Sequence, residues 1–164
     1  MKDFEKGLVA RAEPADGKGL RILIVHTRWN APIVDALVEG ATAALRAAGV
    51  TEITTRDVPG CYELPLATAS LLAQQPYDAA ISIGVLIKGS TMHFEYIADA
   101  ASHGLMRVGL DAKRPVIFGI LTCLTEDQAK ERAGIAGAGN EGHNHGRDWG
   151  LAAVEMARLN NGQA

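Results

Sequence analysis

The feature that most constrains the fold of this chain is a regular alternation of strand-like and helix-like segments. Each of four strand-like runs is followed by a segment with apolar residues at helical spacing, and a further helix-like segment, "DWGLAAVEMARLN", follows them. The four runs are "LRILIVH", "TEITTRDV", "YDAAISIGVLI" and "PVIFGILT". Helix-length connections between apolar strands are typical of a parallel sheet that carries helices on both faces. We therefore expect a three-layer α/β sandwich built on four parallel strands.

The length of 164 residues fits one compact domain. The first twenty residues are polar and are interrupted by Pro14, Gly17 and Gly19, which predicts a flexible N-terminal arm over residues 1–20. A frayed terminus is the simpler interpretation of this arm. The alternating pattern after it predicts a single domain over residues 21–160.

Charge and composition exclude several classes of function. The net charge of -3 and the absence of a basic run argue against binding to nucleic acid. No apolar segment is long enough to span a bilayer, and the first residues lack the apolar core of a signal peptide. The two cysteines, Cys61 and Cys123, form no CxxC pair, which is typical of a reducing compartment. We expect a cytoplasmic protein without a membrane partner.

Polar side chains follow every predicted strand at its carboxyl end. The segments are "RWN" after the first strand, "PGCYELP" after the second, "KGSTMH" after the third and "CLTED" after the fourth. Open parallel sheets bind ligands outside the carboxyl ends of their strands, beside the switch in strand order. These four loops are therefore expected to line one pocket.

The loop after the third strand has the composition of an anion site. Ser90 and Thr91 precede a helix with His93 in its first turn, and Lys88 adds a positive charge nearby. Ordinary N-capping by either hydroxyl is the simpler alternative and needs no ligand. The order K-G-S excludes a Walker A loop, which requires G-K-[ST]. His93 is placed to move a proton on a bound phosphate ester, although a structural histidine is the alternative.

The loops after the first two strands offer contacts for a ring and for a polyol. Trp29 presents a flat face for stacking on a heteroaromatic ring, or else packs the first helix on the sheet. Tyr62 and Glu63 follow a rigid "PG" turn, and the carboxylate suits hydrogen bonds from sugar hydroxyls. Glu63 is alternatively a solvated loop acid.

Two other possibilities are rejected from the sequence. His143 and His145 are two residues apart but have no third ligand at a recognisable spacing, so no metal site is expected and a glycine-rich surface loop is favoured. Cys61 has no local signature of a nucleophile, and most such cysteines only pack.

The chain resembles the 6,7-dimethyl-8-ribityllumazine synthases in five segments: "HTRWN", "PGCYELP", "GVLIKGSTMHFEYI", "GILTCLTEDQAKERAG" and "HNHGRDWGLAAVEM". The resemblance runs from about residue 20 to about residue 158, and "GSTMHFEYI" is particularly specific. It implies a flavodoxin-like sheet of strand order 2-1-3-4 and a cytoplasmic transferase that needs no cofactor.

The implied reaction condenses 5-amino-6-(D-ribitylamino)uracil with 3,4-dihydroxy-2-butanone 4-phosphate. It yields 6,7-dimethyl-8-ribityllumazine, phosphate and water in the penultimate step of riboflavin biosynthesis. Riboflavin synthase is therefore an implied pathway partner. A catalytically silent scaffold that binds flavin or lumazine, or forms a shell, stays open as the alternative function on the same fold.

The resemblance also implies roles for individual residues. Trp29 would stack on the pyrimidine, Asn30 would orient it, and His93 would transfer protons. The other implied contacts are the ribityl-binding segment Cys61, Tyr62 and Glu63, the backbone of Val85, Leu86 and Ile87 at the pyrimidine edge, the phosphate ligands Ser90, Thr91 and Arg132, and the substrate contact Phe118.

Two of these residues indicate that subunits share the site. Phe118 lies within the fourth strand and Arg132 near the end of the next helix, so neither is expected in the pocket of its own chain. In the family a neighbouring subunit supplies them, which implies active sites between adjacent subunits. The segment "IAGAGNEGHNHGRD" has Glu141 at about the place where bacterial-type members carry a lysine, so no role is carried over from that lysine. The length of the segment resembles that of eukaryotic-type members that form pentamers. We expect a homopentamer, with a larger shell or a pair of pentamers left open.

Overall fold

The computed structural model describes residues 15–162, so residues 1–14 of the predicted arm lie outside the described part of the chain. The strands are β1 (Arg21–Thr27), β2 (Glu52–Val58), β3 (Ala79–Ile87) and β4 (Val116–Cys123). The helices are α1 (Ala31–Ala47), α2 (Leu64–Gln74), α3 (His93–Ala112), α4 (Glu126–Ala133) and α5 (His145–Asn160), and a short 3₁₀ helix spans Cys61–Glu63.

The four strands form one parallel sheet in the order β2-β1-β3-β4. This confirms the expected flavodoxin-like order 2-1-3-4. The two central strands are the most apolar, because they are covered on both faces by helices. The strand order reverses between β1 and β3, and their carboxyl ends therefore flank a crevice of the kind in which parallel sheets bind ligands.

Side chains of β1 alternate between two cores on opposite faces of the sheet. Ile22 and Ile24 pack into the core beneath α1, α4 and α5. Leu23 and Val25 pack into the core that includes residues of α2 and α3. This alternation confirms a three-layer sandwich with helices on both faces.

The start of α4 is stabilised by a capping arrangement. The backbone N–H of Gln128 donates to the Thr125 hydroxyl oxygen at 3.3 Å, and the Gln128 side-chain oxygen accepts from the Leu124 N–H at 2.9 Å. The predicted helix start at Thr125 is thereby confirmed. The cap places α4 directly after the carboxyl end of β4.

The start of α5 differs from the sequence-based expectation. The segment with His143 and His145 was expected to be a surface loop, but α5 already begins at His145. The Asn144 side chain accepts from the Gly146 N–H at 2.9 Å and donates to the Ala36 carbonyl of α1 at 2.8 Å. This N-cap and its tether to α1 start the helix three residues before the apolar pattern does.

Residues 15–20 pack against α1 and α5. Leu20 is 2% exposed, and the Gly17 N–H donates to the Ala48 carbonyl at 2.6 Å. The Arg158 guanidinium of α5 donates to the Asp16 and Lys18 carbonyls.

Within residues 15–162, no helix combines the length and apolarity needed to cross a bilayer.

Candidate functional site

A cavity of about 540 Å³ lies at the carboxyl ends of β1 and β3, where the strand order reverses. It brings together the predicted residues of three separate loops. Its lining residues are Trp29, Asn30, Gly60, Cys61, Tyr62, Glu63, Val85, Leu86, Ile87, His93 and Ile97. Gly60 and Ile97 are the two that the sequence analysis did not name. The predicted convergence of the strand-end loops is therefore present for the first three loops.

The turn between β1 and α1 forms one wall. Trp29 is 70% exposed, so its indole is not held by the core. Asn30 has φ 55° and ψ 45°, a left-handed conformation in which asparagine is among the more tolerated residues. Its carbonyl accepts from the Ile33 and Val34 N–H groups and starts α1. The tight turn thus leaves the indole beside the cavity.

The turn after β2 forms the facing wall. A Cβ on Gly60 would lie 3.2 Å from Oε2 of Glu63 and 3.4 Å from Cδ1 of Trp29. The absence of a side chain at this position therefore lets the two loops approach each other. The "PG" dipeptide was the sequence signal that could have identified Gly60 as a pocket residue.

Cys61 is buried beneath the same loop at 5% exposure. Burial raises the pKa of its thiol to about 12, and the nearby Glu63 carboxylate acts in the same direction. The thiol is therefore protonated at neutral pH and is a poor nucleophile. Its role in the described structure is to pack against β3.

The turn between β3 and α3 carries Ser90 and Thr91 between two lining residues, Ile87 and His93. The His93 N–H donates to the Thr91 hydroxyl at 3.4 Å, which is long for a cap. Within residues 15–162, the Ser90 hydroxyl has no hydrogen-bonding partner, and Ser90 is exposed. The N-capping alternative thus accounts for little of this turn, although neither Ser90 nor Thr91 is itself among the lining residues of the cavity.

Lys88, which the sequence predicted as a positive charge near an anion, is engaged by residues of the turn and of the first turn of α3. Its ammonium pairs with the Glu95 carboxylate, donates to the Thr91 carbonyl at 3.3 Å and lies 5.8 Å from the centre of the Phe94 ring. The hydrogen bond from Lys88 lowers the pKa of Glu95. Glu95 therefore neutralises most of the field that Lys88 would project.

Besides Ser90 and Thr91, two further predicted site residues are absent from the cavity lining of their own chain. Phe118 is on the edge strand β4 and is 42% exposed. The Arg132 guanidinium donates to the Gln128 carbonyl at 3.0 Å, so the side chain folds back along α4. Neither residue lines the cavity.

The two histidines near the start of α5 are engaged with side chains of the same segment. His143 Nε2 lies 2.6 Å from the Asp148 carboxylate, and the His143 and His145 ring centres are 5.3 Å apart. Burial, more than any other cause, lowers the pKa of His145. In the described part of the chain, no group of three or more His, Cys, Asp or Glu side chains is arranged to hold a metal ion.

The fold and the cavity together define a parallel α/β protein with a small-molecule site at the switch in strand order. Residues 19–161 match the family model described as 6,7-dimethyl-8-ribityllumazine synthase. The chain belongs to the 6,7-dimethyl-8-ribityllumazine synthase family.

Curated relatives with the name 6,7-dimethyl-8-ribityllumazine synthase support this assignment. The protein from Schizosaccharomyces pombe is 55% identical over 87% of this chain and 91% of its own length. That from Pyricularia oryzae is 49% identical over 86% of this chain and 88% of its own. The protein from Kineococcus radiotolerans is 46% identical over 85% of this chain and 84% of its own length. Among solved structures, a periplasmic ribose ABC transporter from Conexibacter woesei matches at a TM-score of 0.33 and 11% identity, over 74% of this chain and 59% of its own, too low to indicate a shared fold.

Proposed function

We propose that this protein is a transferase that condenses 5-amino-6-(D-ribitylamino)uracil with 3,4-dihydroxy-2-butanone 4-phosphate to give 6,7-dimethyl-8-ribityllumazine, phosphate and water. The observation that carries the proposal is the cavity of this family member, which brings Trp29, Glu63 and His93 together from three loops. These side chains supply a stacking face, a polyol acceptor and a proton carrier for the two substrates.

The pyrimidine and its ribityl chain would occupy the cavity between the first two loops. Trp29 offers its exposed face for stacking, and Asn30 beside it carries the amide that orients the ring. The exposed Glu63 carboxylate and Tyr62 hydroxyl can bond the ribityl hydroxyls. Backbone groups at the end of β3, over Val85, Leu86 and Ile87, lie along the same cavity and would read the pyrimidine edge, and Cys61 supports the floor.

The phosphate ester would bind at the turn before α3. Ser90 and Thr91 supply hydroxyl donors next to a helix N-terminus, which favours an anion. Arg132 would complete this site with a charge-assisted contact from a neighbouring subunit. His93 lies between the phosphate turn and the pyrimidine wall, where it can move protons for both substrates.

The reaction requires orientation more than unusual chemistry. The amine of the pyrimidine attacks the ketone, and loss of water gives a Schiff base. Elimination of phosphate then leaves an enol, and its ketone form is attacked by the second nitrogen, which closes the ring with loss of a further water. Holding the two substrates in contact provides most of the acceleration, and proton transfer through His93 contributes about 10²-fold.

The proposed active unit is a homopentamer with sites between adjacent subunits. Phe118 and Arg132 lie outside the cavity of their own chain, so a neighbour must bring them if they act there. The α2, α3 and β4 surface exposes large apolar side chains that a subunit contact would cover, namely Leu66, Met92, Tyr96, Met106, Leu110 and Phe118. In a head-to-tail ring, two different surfaces of adjacent subunits would meet and cover such side chains.

We also propose a cytoplasmic location, which the two free thiols Cys61 and Cys123 support. The lumazine product would be consumed by riboflavin synthase. The alternative of a catalytically silent scaffold is not favoured, because the similar relatives over most of the chain are named as synthases.

The test is to mix the purified protein with both substrates and follow the fluorescent lumazine and the released phosphate together. Equal amounts of both above the uncatalysed background are expected. Tight lumazine or flavin binding by an assembled protein that forms no product would contradict the proposal.

A further inference from the structure

An ion pair links the loop after β1 to the last residues of strand β2, at the base of the two loops that line the cavity. Arg28 Nη1 lies 2.5 Å from Asp57 Oδ2. The backbone N–H of Arg28 also donates to the Val58 carbonyl at 3.1 Å. The hydrogen bond from Arg28 lowers the pKa of Asp57, so both groups are charged at neutral pH. Arg28 directly precedes Trp29, and Asp57 stands three residues before Gly60. The pair therefore lies at the base of both loops.

Burial does little to fix the position of Trp29. Its side chain is among the most exposed large apolar groups in residues 15–162, and it approaches the facing loop at Gly60. The following residue, Asn30, is held in a left-handed conformation. With so little packing on the indole, the tethers at the base of the turn must determine where the ring lies.

The same pair contributes little to the stability of the fold. Its side chains are 59% and 54% exposed, and exposed ion pairs have small and salt-sensitive energies. An interaction that is weak for stability can still select one arrangement of the two loops where only a small free-energy difference separates alternative loop positions.

We propose that Arg28 and Asp57 are positioning residues for the pyrimidine substrate, which act by holding Trp29 at stacking distance from the ring. This inference rests on the proposed function, in which Trp29 stacks on the pyrimidine. The pair leaves the phosphate turn unaffected, because Ser90 and Thr91 belong to the loop after β3. Removal of the ion pair should therefore weaken binding of the pyrimidine substrate and leave binding of the phosphate substrate unchanged.

The structure provides a matched control on the same two strands. Arg21 and Glu52 form an ion pair of 3.0 Å between β1 and β2 at their amino ends, far along the strands from the cavity. Asp57→Ala and Glu52→Ala each remove the acidic β2 partner of one ion pair, with an arginine at either end of β1 as the other partner. The comparison separates an effect on the site from a general effect on strand pairing.

The experiment measures KM for each substrate in the assembled wild-type protein and in both variants. Asp57→Ala should raise KM for the pyrimidine about two- to fivefold. This is the fold-change that follows from the coupling energy of an exposed ion pair. In Asp57→Ala, KM for the phosphate substrate and kcat should each stay within about twofold of the wild-type value. Glu52→Ala should leave kcat and the KM values for both substrates unchanged. Asp57→Glu, which keeps the charge, should recover part of the loss.

Two further readouts separate positioning from a structural role. The double variant Arg28→Gln, Asp57→Ala should be no worse than Asp57→Ala alone, because both changes break the same contact. Added salt should raise the wild-type KM for the pyrimidine toward that of Asp57→Ala and leave the variant nearly constant.

An unchanged pyrimidine KM in Asp57→Ala would overturn the inference, and so would an equal rise for both substrates. These outcomes are distinct from a failure of the proposed function. That failure would appear as a wild-type protein that forms no lumazine, whereas the inference fails only on the comparison of variants with an active wild type.

Discussion

Gly84 of β3 lies directly against Cys61, so that a Cβ on Gly84 would be 2.6 Å from the cysteine Sγ and 3.1 Å from Cγ2 of Thr27. The missing side chain is what allows the short helix over Cys61–Glu63 to rest on the strand. The height of Tyr62 and Glu63 above the end of β3 therefore depends on a glycine at position 84.

Replacement of Gly84 by alanine should lower the free energy of unfolding by about 1–3 kcal/mol, as expected for overpacking in a close-packed core. It should also weaken pyrimidine binding, because the Cys61 loop must move outward. Urea unfolding and the pyrimidine KM measure the two effects. Gly89→Ala is the control, because a Cβ at Gly89 meets nothing within 4 Å. Equal stabilities of the two variants would contradict the close contact.

The raised pKa of Cys61 predicts a loss of stability in base. The folded chain keeps the thiol proton up to a pH of about 12, whereas an unfolded thiol loses it near its ordinary value of 9.0. Above pH 9 the unfolded state binds fewer protons, so the free energy of unfolding falls as the pH rises from 9 toward 12. The slope from this group is at most about 1.4 kcal/mol per pH unit.

Unfolding by urea at about pH 8 and about pH 10, at one protein concentration, checks this prediction. Cys61→Ala is expected to be less stable than wild type at the lower pH, because it leaves a small cavity, and to lose less stability between the two conditions. Parallel losses in the two proteins would show that the Cys61 thiol is not the group responsible.

His93→Ala should slow the reaction without abolishing it. Proton transfer by a positioned histidine contributes about 10²-fold, while the arrangement of the two substrates is retained. The measurement is kcat in assembled protein, with pyrimidine binding as the control that the cavity is intact. Complete loss of turnover with unchanged pyrimidine binding would show that proton transfer by His93 contributes more than substrate orientation does.

Arg132→Ala should reduce activity more severely, because in the proposed site the phosphate dianion would lose a bidentate partner. A mixing experiment tests whether that partner comes from the neighbour. Neither His93→Ala nor Arg132→Ala alone has a complete site. Co-assembled in equal amounts, they should recover about a quarter of wild-type activity, since random assortment in a head-to-tail ring pairs an intact His93 with an intact Arg132 at that frequency. Activity that stays at the mean of the two separate variants would place both residues in one chain's site.

The sequence predicted the fold well because the hydrophobic pattern carries most of the information about it. Apolar residues at a period of two or over a continuous run marked β1, β3 and β4, and helical spacing marked the connections. The weakly apolar β2 was recognisable only from its place in the alternation, and it is one of the two edge strands of the sheet. The convergence of the first three loops followed from topology, because parallel strands share one carboxyl edge.

Other features depend on contacts that no local pattern encodes. Lys88 and Glu95, which pair across the turn before α3, are seven positions apart in the sequence, and the early start of α5 depends on the contact of Asn144 with Ala36 of α1. The placements of Phe118 and Arg132 in an active site remain predictions, because their proposed partners belong to another subunit. The sequence suggested them through family resemblance and not through periodicity.

The Lys88–Glu95 pair has a consequence for the end of each catalytic cycle. In the proposed reaction, inorganic phosphate has to leave the turn before α3, where a second unopposed cation would retain the anion and favour product inhibition. The Lys88 ammonium is already paired with the Glu95 carboxylate. The proposed site would therefore bind the phosphate mainly through hydroxyls, backbone N–H groups and the neighbouring subunit's arginine. The internal salt bridge would thus favour turnover over tight retention of phosphate.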